Sequence, residues 1–144
     1  MVLEVEVIDK AWYTLCRPVG EVDGYTMHIF NEALSLLRRV DNGVLFDLSR
    51  VPFMDSYGIA SLVKAIRQLR ESEVPFAAAC SQSGLRELFS RSRLDRLIFV
   101  GASIEEAETE LRAHMDDRTQ RKRTGYGAPR RISRSDRSGS SGAR

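Results

Sequence analysis

The chain opens on a strict alternation: Leu3, Val5 and Val7 are apolar while Glu4 and Glu6 are acidic, a period of two that predicts a half-exposed strand. Residues 11–16 (AWYTLC) are rich in aromatic and β-branched types and predict a second strand, joined to the first by a hairpin-like connection at Asp9-Lys10. Pro18 and Gly20 are expected to end it. From 25 to 40 the period becomes helical. Met27, Phe30, Ala33, Leu34 and Leu37 mark one face, and His28, Asn31, Glu32, Ser35 and Arg38 the other. Asp23 precedes this run as a candidate cap, and Asp41-Asn42-Gly43 supplies the turn that stops it. The apolar run 44–48 (VLFDL) suits a strand covered on both faces. A helix over 56–70 follows, with Ile59, Leu62, Val63, Ile66 and Leu69 along one stripe. Residues 74–80 (VPFAAAC) predict another buried strand, with Pro75 tolerable only at its beginning. Leu85, Leu88 and Phe89 predict a short helix, and 97–100 a last short strand. Ser103-Ile104-Glu105-Glu106 is a capping box that opens a helix with Ile104, Ala107 and Leu111 facing inward.

Strands and helices that alternate in this order predict an α/β fold: a mixed, mostly parallel β-sheet, reached by right-handed crossovers, with helices packed on it. After His114 the periodicity stops. Residues 118–144 are dominated by Arg, Ser and Gly, and Tyr126 and Ile132 are their only large apolar or aromatic side chains. Such a segment cannot bury enough surface to offset its ordering entropy. The expectation is one domain at 1–115 and a disordered basic tail at 116–144, in keeping with a chain of 144 residues. Charge divides the same way. Residues 1–115 carry 13 Lys/Arg against 17 Asp/Glu, a net −4, and residues 116–144 carry 9 against 3, a net +6.

No apolar run approaches the roughly 20 residues that span a bilayer. The start, MVLEVEVIDK, lacks the basic residues and apolar block of a secretion signal. A cytoplasmic protein with no membrane partner is expected. Cys16 and Cys80 are the only cysteines and lie in strand-like segments, so they read as buried reduced thiols, with a redox pair as the alternative. Asp23, Asp55 and Ser56 gather polar groups, but nothing supplies the base that a serine nucleophile needs. His28 falls on a polar helix face and His114 near a helix end. There is no phosphate-binding glycine loop and no paired-histidine metal pattern, so a non-enzymatic chain holding no cofactor and no metal is expected. The tail, with Arg121-Lys122-Arg123 and Arg130-Arg131, has two readings. It attaches to nucleic acid or another polyanion in a salt-dependent way, or it is a solvated tail that aids solubility.

The block Asp55-Ser56-Tyr57-Gly58 stands where the second helix begins. Asp55 or Ser56 would cap that helix, since their oxygens accept from otherwise unpaired N–H groups. The block also follows a central strand, at the sheet end where open α/β folds place their sites. Gly58 removes a side chain from the first turn, which would let a partner's backbone approach. Tyr57 puts a large aromatic beside the polar cap. A helix N-terminus tolerates phosphate, so Ser56 could accept one, adding about −1.5 to −2 charges to the surface.

DLSRVPFMDSYGIASL, residues 47–62, resembles the signature of STAS domains of the bacterial anti-sigma factor antagonist type. Gly20-Glu21-Val22-Asp23 is similar to that family's segment ahead of its first helix, and 84–89 (GLRELF) and 94–97 (LDRL) to its later helix and turn. The resemblance runs in order from residue 3 to about 113. It implies partner switching. An anti-sigma factor that is also a serine kinase binds the unmodified antagonist and lets its sigma factor go, regulating transcription. The kinase transfers phosphate from ATP to the serine after the motif Asp, which is Ser56 here; the modified form no longer binds, and a phosphatase restores it. Asp23, Asp55, Tyr57 and Gly58 would form the docking surface around that phosphoacceptor. Tyr57 departs from the family, which usually has a second small residue there. A STAS interaction module of another signalling complex is the alternative.

Overall fold

A computed structural model describes residues 2–123, with only the backbone of Lys122 and Arg123. The chain falls into two units, Met1–Arg112 and Ala113–Arg144. The first holds a five-stranded sheet in the order β1 (Glu4–Asp9), β2 (Thr14–Val19), β3 (Val44–Asp47), β4 (Phe76–Ala79), β5 (Val100–Gly101). β1 and β2 run antiparallel, and every other pair is parallel, as the mixed α/β reading requires. Between strands lie α1 (Met27–Leu36), α2 (Ser56–Glu71) and α3 (Ser83–Arg91), and α4 (Ile104–Arg123) follows β5. No described helix is long and apolar enough to cross a membrane.

One sheet face presents Cys16, Val44, Phe46, Ala78 and Cys80 to the main core. Against them pack Phe30 and Leu34 of α1, Leu62, Ile66 and Leu69 of α2, and Leu85 and Phe89 of α3. Of the stripe read along 56–70, Leu62, Ile66 and Leu69 are buried, while Ile59 and Val63 pack against the core only in part. Each fully buried large side chain here contributes roughly 1.5–3 kcal/mol. The alternate residues Leu15, Leu45, Ala77 and Ala79 are buried on the opposite face, and Ala107 and Leu111 of α4 are buried outside the main cluster as well.

The second strand starts later than the sequence pattern places it. Residues 10–13 form the link instead, closed by a hydrogen bond from Lys10 N–H to Tyr13 O of 2.8 Å. Their aromatics serve α4: Tyr13 OH donates to Glu108 Oε2 at 2.7 Å, and the Arg112 guanidinium lies 4.3 Å from the centre of the Trp12 ring. Pro18, expected to end the strand, lies inside β2. On the β3 side, Thr14 N–H bonds Gly43 O and Gly20 N–H bonds Arg50 O. Alternation turns the Pro18 nitrogen to that same side, beyond the last β2–β3 pair at Cys16 and Phe46, so no ladder bond is lost. The last helix also differs, running to Arg123 rather than ending near 115. Residues 113–123 have no apolar stripe, but Met, Gln, Lys and Arg among them are good helix formers. The disorder expected of 116–144 thus meets helix over 116–123; residues 124–144, with Arg130 and Arg131, lie outside the described residues.

Cys16 and Cys80 are buried free thiols on β2 and just past β4. β3 lies between them, which separates their backbones by more than about 9 Å, beyond the roughly 7 Å limit of a disulfide. Burial pushes the Cys16 thiol up to about 12 and raises that of Cys80 as well. The redox alternative does not fit this geometry.

Asp47, at the end of β3, is a buried carboxylate. It accepts from Arg17 Nε at 2.9 Å, from Ser49 N at 3.1 Å and from the Ser49 hydroxyl, and Arg17 also reaches Glu6 at 3.1 Å. Burial raises its pKa, but the Ser49 and Arg17 hydrogen bonds outweigh burial and hold it below the usual carboxylate value. Because the folded value lies below the unfolded one, this stabilisation is complete above about pH 4 and is lost as pH falls through the folded value. Asp47→Asn should lower the melting temperature at neutral pH, and its melting temperature should fall less steeply than that of wild type between about pH 5 and about pH 2. Thermal melts across that range check both.

Candidate functional site

The loops that leave β2 and β3 meet at the C-terminal end of the sheet. Gly20 carries a φ of 125°, a conformation that favours glycine, and turns the chain out of β2. Val22 N–H then donates to Phe53 O and Asp55 N–H to Val22 O, each at 3.0 Å, forming a parallel bridge between Val22 and Met54. Both bridge side chains are buried. Gln82, at the start of α3, braces the second loop: its side-chain amide donates to Ser49 O at 3.0 Å and Val51 O at 2.9 Å. No local pattern marks Gln82 for this work, because its partners lie 31–33 residues away.

Asp55 is the cap of α2. Its Oδ1 accepts from Tyr57 N at 2.9 Å and Gly58 N at 3.1 Å, while Oδ2 accepts from Gly24 N at 3.1 Å in the other loop. One carboxylate therefore closes the helix and ties the two loops together. Ser56, which the sequence left as an equal candidate for the cap, is the first residue inside the helix. It is exposed, and its hydroxyl has no hydrogen-bond partner among the described residues. Thr26, not Asp23, holds the N-cap position of α1; the turn ahead of it is capped by Asp23. Its Oδ1 accepts from Tyr25 N at 2.9 Å and Thr26 N at 3.0 Å, and Thr26 Oγ1 returns a bond by accepting from Asp23 N at 3.0 Å.

The structure brings Asp23, Asp55, Ser56, Tyr57 and Gly58 onto these two loops and the first turn of α2. Gly58 differs from its expected role. It is buried, and a Cβ there would stand 2.5 Å from Met54 Cγ and 2.8 Å from Val22 Cγ1. The room left by the missing side chain is filled by the chain's own bridge, so it is not open to an incoming backbone. Tyr57 is 57% exposed, and its ring passes about 3.4 Å from where a Gly24 Cβ would lie. The tyrosine therefore roofs the first loop.

The described residues contain no group of three or more His, Cys, Asp or Glu placed to hold a metal. The arrangement offers an accessible hydroxyl on a braced turn, beside an Asp55 carboxylate engaged through both oxygens and an Asp23 carboxylate engaged through Oδ1. Gly58→Ala should cost about 1–3 kcal/mol, since the bridge must shift to admit a methyl group. Asp55→Ala should cost about 1 kcal/mol through the lost cap. Urea unfolding measures both, and a Gly58→Ala chain as stable as wild type would contradict the packing described.

A profile of the STAS domain matches residues 3–107. Among solved structures, an anti-sigma factor antagonist from Mycobacterium paratuberculosis superposes with a TM-score of 0.71 at 21% identity, over 76% of this chain and 94% of that one. The Thermotoga maritima protein tm1081 gives 0.65 at 20% identity, over 75% and 94%. The Bacillus cell-fate determinant SpoIIAA in its phosphorylated form gives 0.56 at 20% identity, over 75% and 97%. At these identities the superpositions show a shared fold. With the profile covering most of the chain, the protein belongs to the STAS domain family.

Proposed function

We propose that this chain is an anti-sigma factor antagonist that works in the cytoplasm as a binding module. Its surface around Ser56 docks an anti-sigma factor that is also a serine kinase, and the sigma factor is released. Phosphate placed on Ser56 by that kinase, from ATP that the kinase holds, ends the association, and a phosphatase reverses it. The observation that carries this reading is the exposed Ser56 hydroxyl, left unengaged because Asp55 does the capping. Solved STAS structures of the antagonist SpoIIAA in unphosphorylated and phosphorylated forms are among the fold relatives, and they support it.

The electrostatics favour an off-switch. Helix N-termini normally welcome an anion, but here the Asp55 carboxylate already takes the Tyr57 and Gly58 N–H groups. A phosphate on Ser56 would stay at the surface beside a like charge. Docking would then have to strip water from a dianion, which is costly without new partners. The fold itself need not change for binding to be lost.

Calorimetry with purified anti-sigma factor kinases from the same organism tests the reading. Ser56→Ala should bind within about threefold of wild type and take up no phosphate by mass spectrometry. Ser56→Glu should bind about tenfold more weakly or worse, a loss of about 1.4 kcal/mol. Ser56→Glu binding as tightly as wild type would overturn the charge switch.

A further inference from the structure

Four aromatic side chains of the described residues are conspicuously exposed: Tyr25 at 90%, Phe53 at 49%, Tyr57 at 57% and Phe99 at 39%. Three of them lie on the bridged loops and first helical turn that carry Ser56, and Phe99 lies next to β5. Tyr25 and Phe53 serve the fold through their backbones, by the Tyr25 N–H to Asp23 and the Phe53 carbonyl to Val22. Three exposed aromatic side chains on loops that are bridged to one another are the mark of an interaction surface.

The two loops carry three acidic side chains, Glu21, Asp23 and Asp55, against one basic side chain, Arg50. Asp23 and Asp55 already accept from backbone N–H groups. Glu21 is exposed, and among the described residues its carboxylate has no partner. Resting on the function proposed above, we infer that Tyr25 and Phe53, with Tyr57, are the anchors by which this surface seats in an apolar recess of its anti-sigma factor, with a basic side chain of that partner meeting Glu21. Aromatic anchors in desolvated pockets carry a large share of the energy of such interfaces. The loops that present them are braced in the free chain, so little ordering entropy is lost on docking. A recess closed over three rings also excludes water near Ser56, which raises the cost of an anion there. The anchors and the switch are thus two aspects of one dry surface.

The test uses the full chain and the purified anti-sigma factor that binds it. Tyr25→Ala and Phe53→Ala should each weaken binding about tenfold or more, while Phe99→Ala, an exposed ring away from the loops, stays within about twofold. Glu21→Lys should weaken binding at low salt by about threefold or more. Thermal melts equal to wild type establish that the variants fold. Tyr25→Ala and Phe53→Ala both binding within about twofold of wild type would overturn the anchors while leaving the antagonist reading in place. Wild type binding no such anti-sigma factor would overturn both. Sedimentation showing a wild-type dimer that the same substitutions convert to monomer would assign the rings to a second copy of the chain and overturn the inference.

Discussion

Two backbone hydrogen bonds, Val22 N–H to Phe53 O and Asp55 N–H to Val22 O, are the constraint on which the site depends. They extend strand-like pairing past the end of the β2–β3 ladder and lock together two loops that would otherwise diverge. Everything nearby is shaped to permit that bridge. Gly58 has no Cβ because Met54 and Val22 occupy the space. Gly20 takes the left-handed φ that sends the first loop toward the second. Gln82 pins the far loop from α3, and Asp55 adds a side-chain tie to Gly24. The consequence is a turn that is built before any partner arrives.

Within that turn, structure and chemistry are divided between neighbours. Asp55 faces the helix and spends its oxygens on three N–H groups. Ser56 faces solvent and is left with its hydroxyl unspent. Had Ser56 been the cap, modifying it would have removed a helix stop, and phosphorylation would act on the fold. With Asp55 as the cap, a modification is a change of surface alone. A binding module benefits from this division, because its signal can be reversed without partial unfolding.

Much of this was legible in the sequence, and the omissions have physical causes. The helical stripes and the apolar strands gave the α/β class, because burial of one face imposes its period on the chain. The Asp-Ser-Tyr-Gly block was marked as a helix start by capping chemistry, which is local. Which residue capped was not legible, since Asp55 and Ser56 are both good caps, and Asp55 also bonds Gly24, thirty-one positions away. Gln82 and Thr26 were invisible for the same kind of reason: their partners are set by tertiary structure or by side-chain reciprocity. The start of β2 was misplaced because Trp12 and Tyr13 have strand-like propensity but are drawn to Arg112 and Glu108 of α4. The last helix outran its pattern because propensity alone can continue a helix after its buried face has ended.

The STAS fold supplies a scaffold, and the proposed activity lies in one side chain that the scaffold leaves unoccupied. The most direct measurement is the affinity of the anti-sigma factor for the chain bearing a true phosphate on Ser56, set beside the unmodified chain under the same salt. A switch governed by surface charge predicts a loss of at least tenfold, about 1.4 kcal/mol, with the melting temperature of the modified chain unchanged. Equal affinity of the two forms would contradict it.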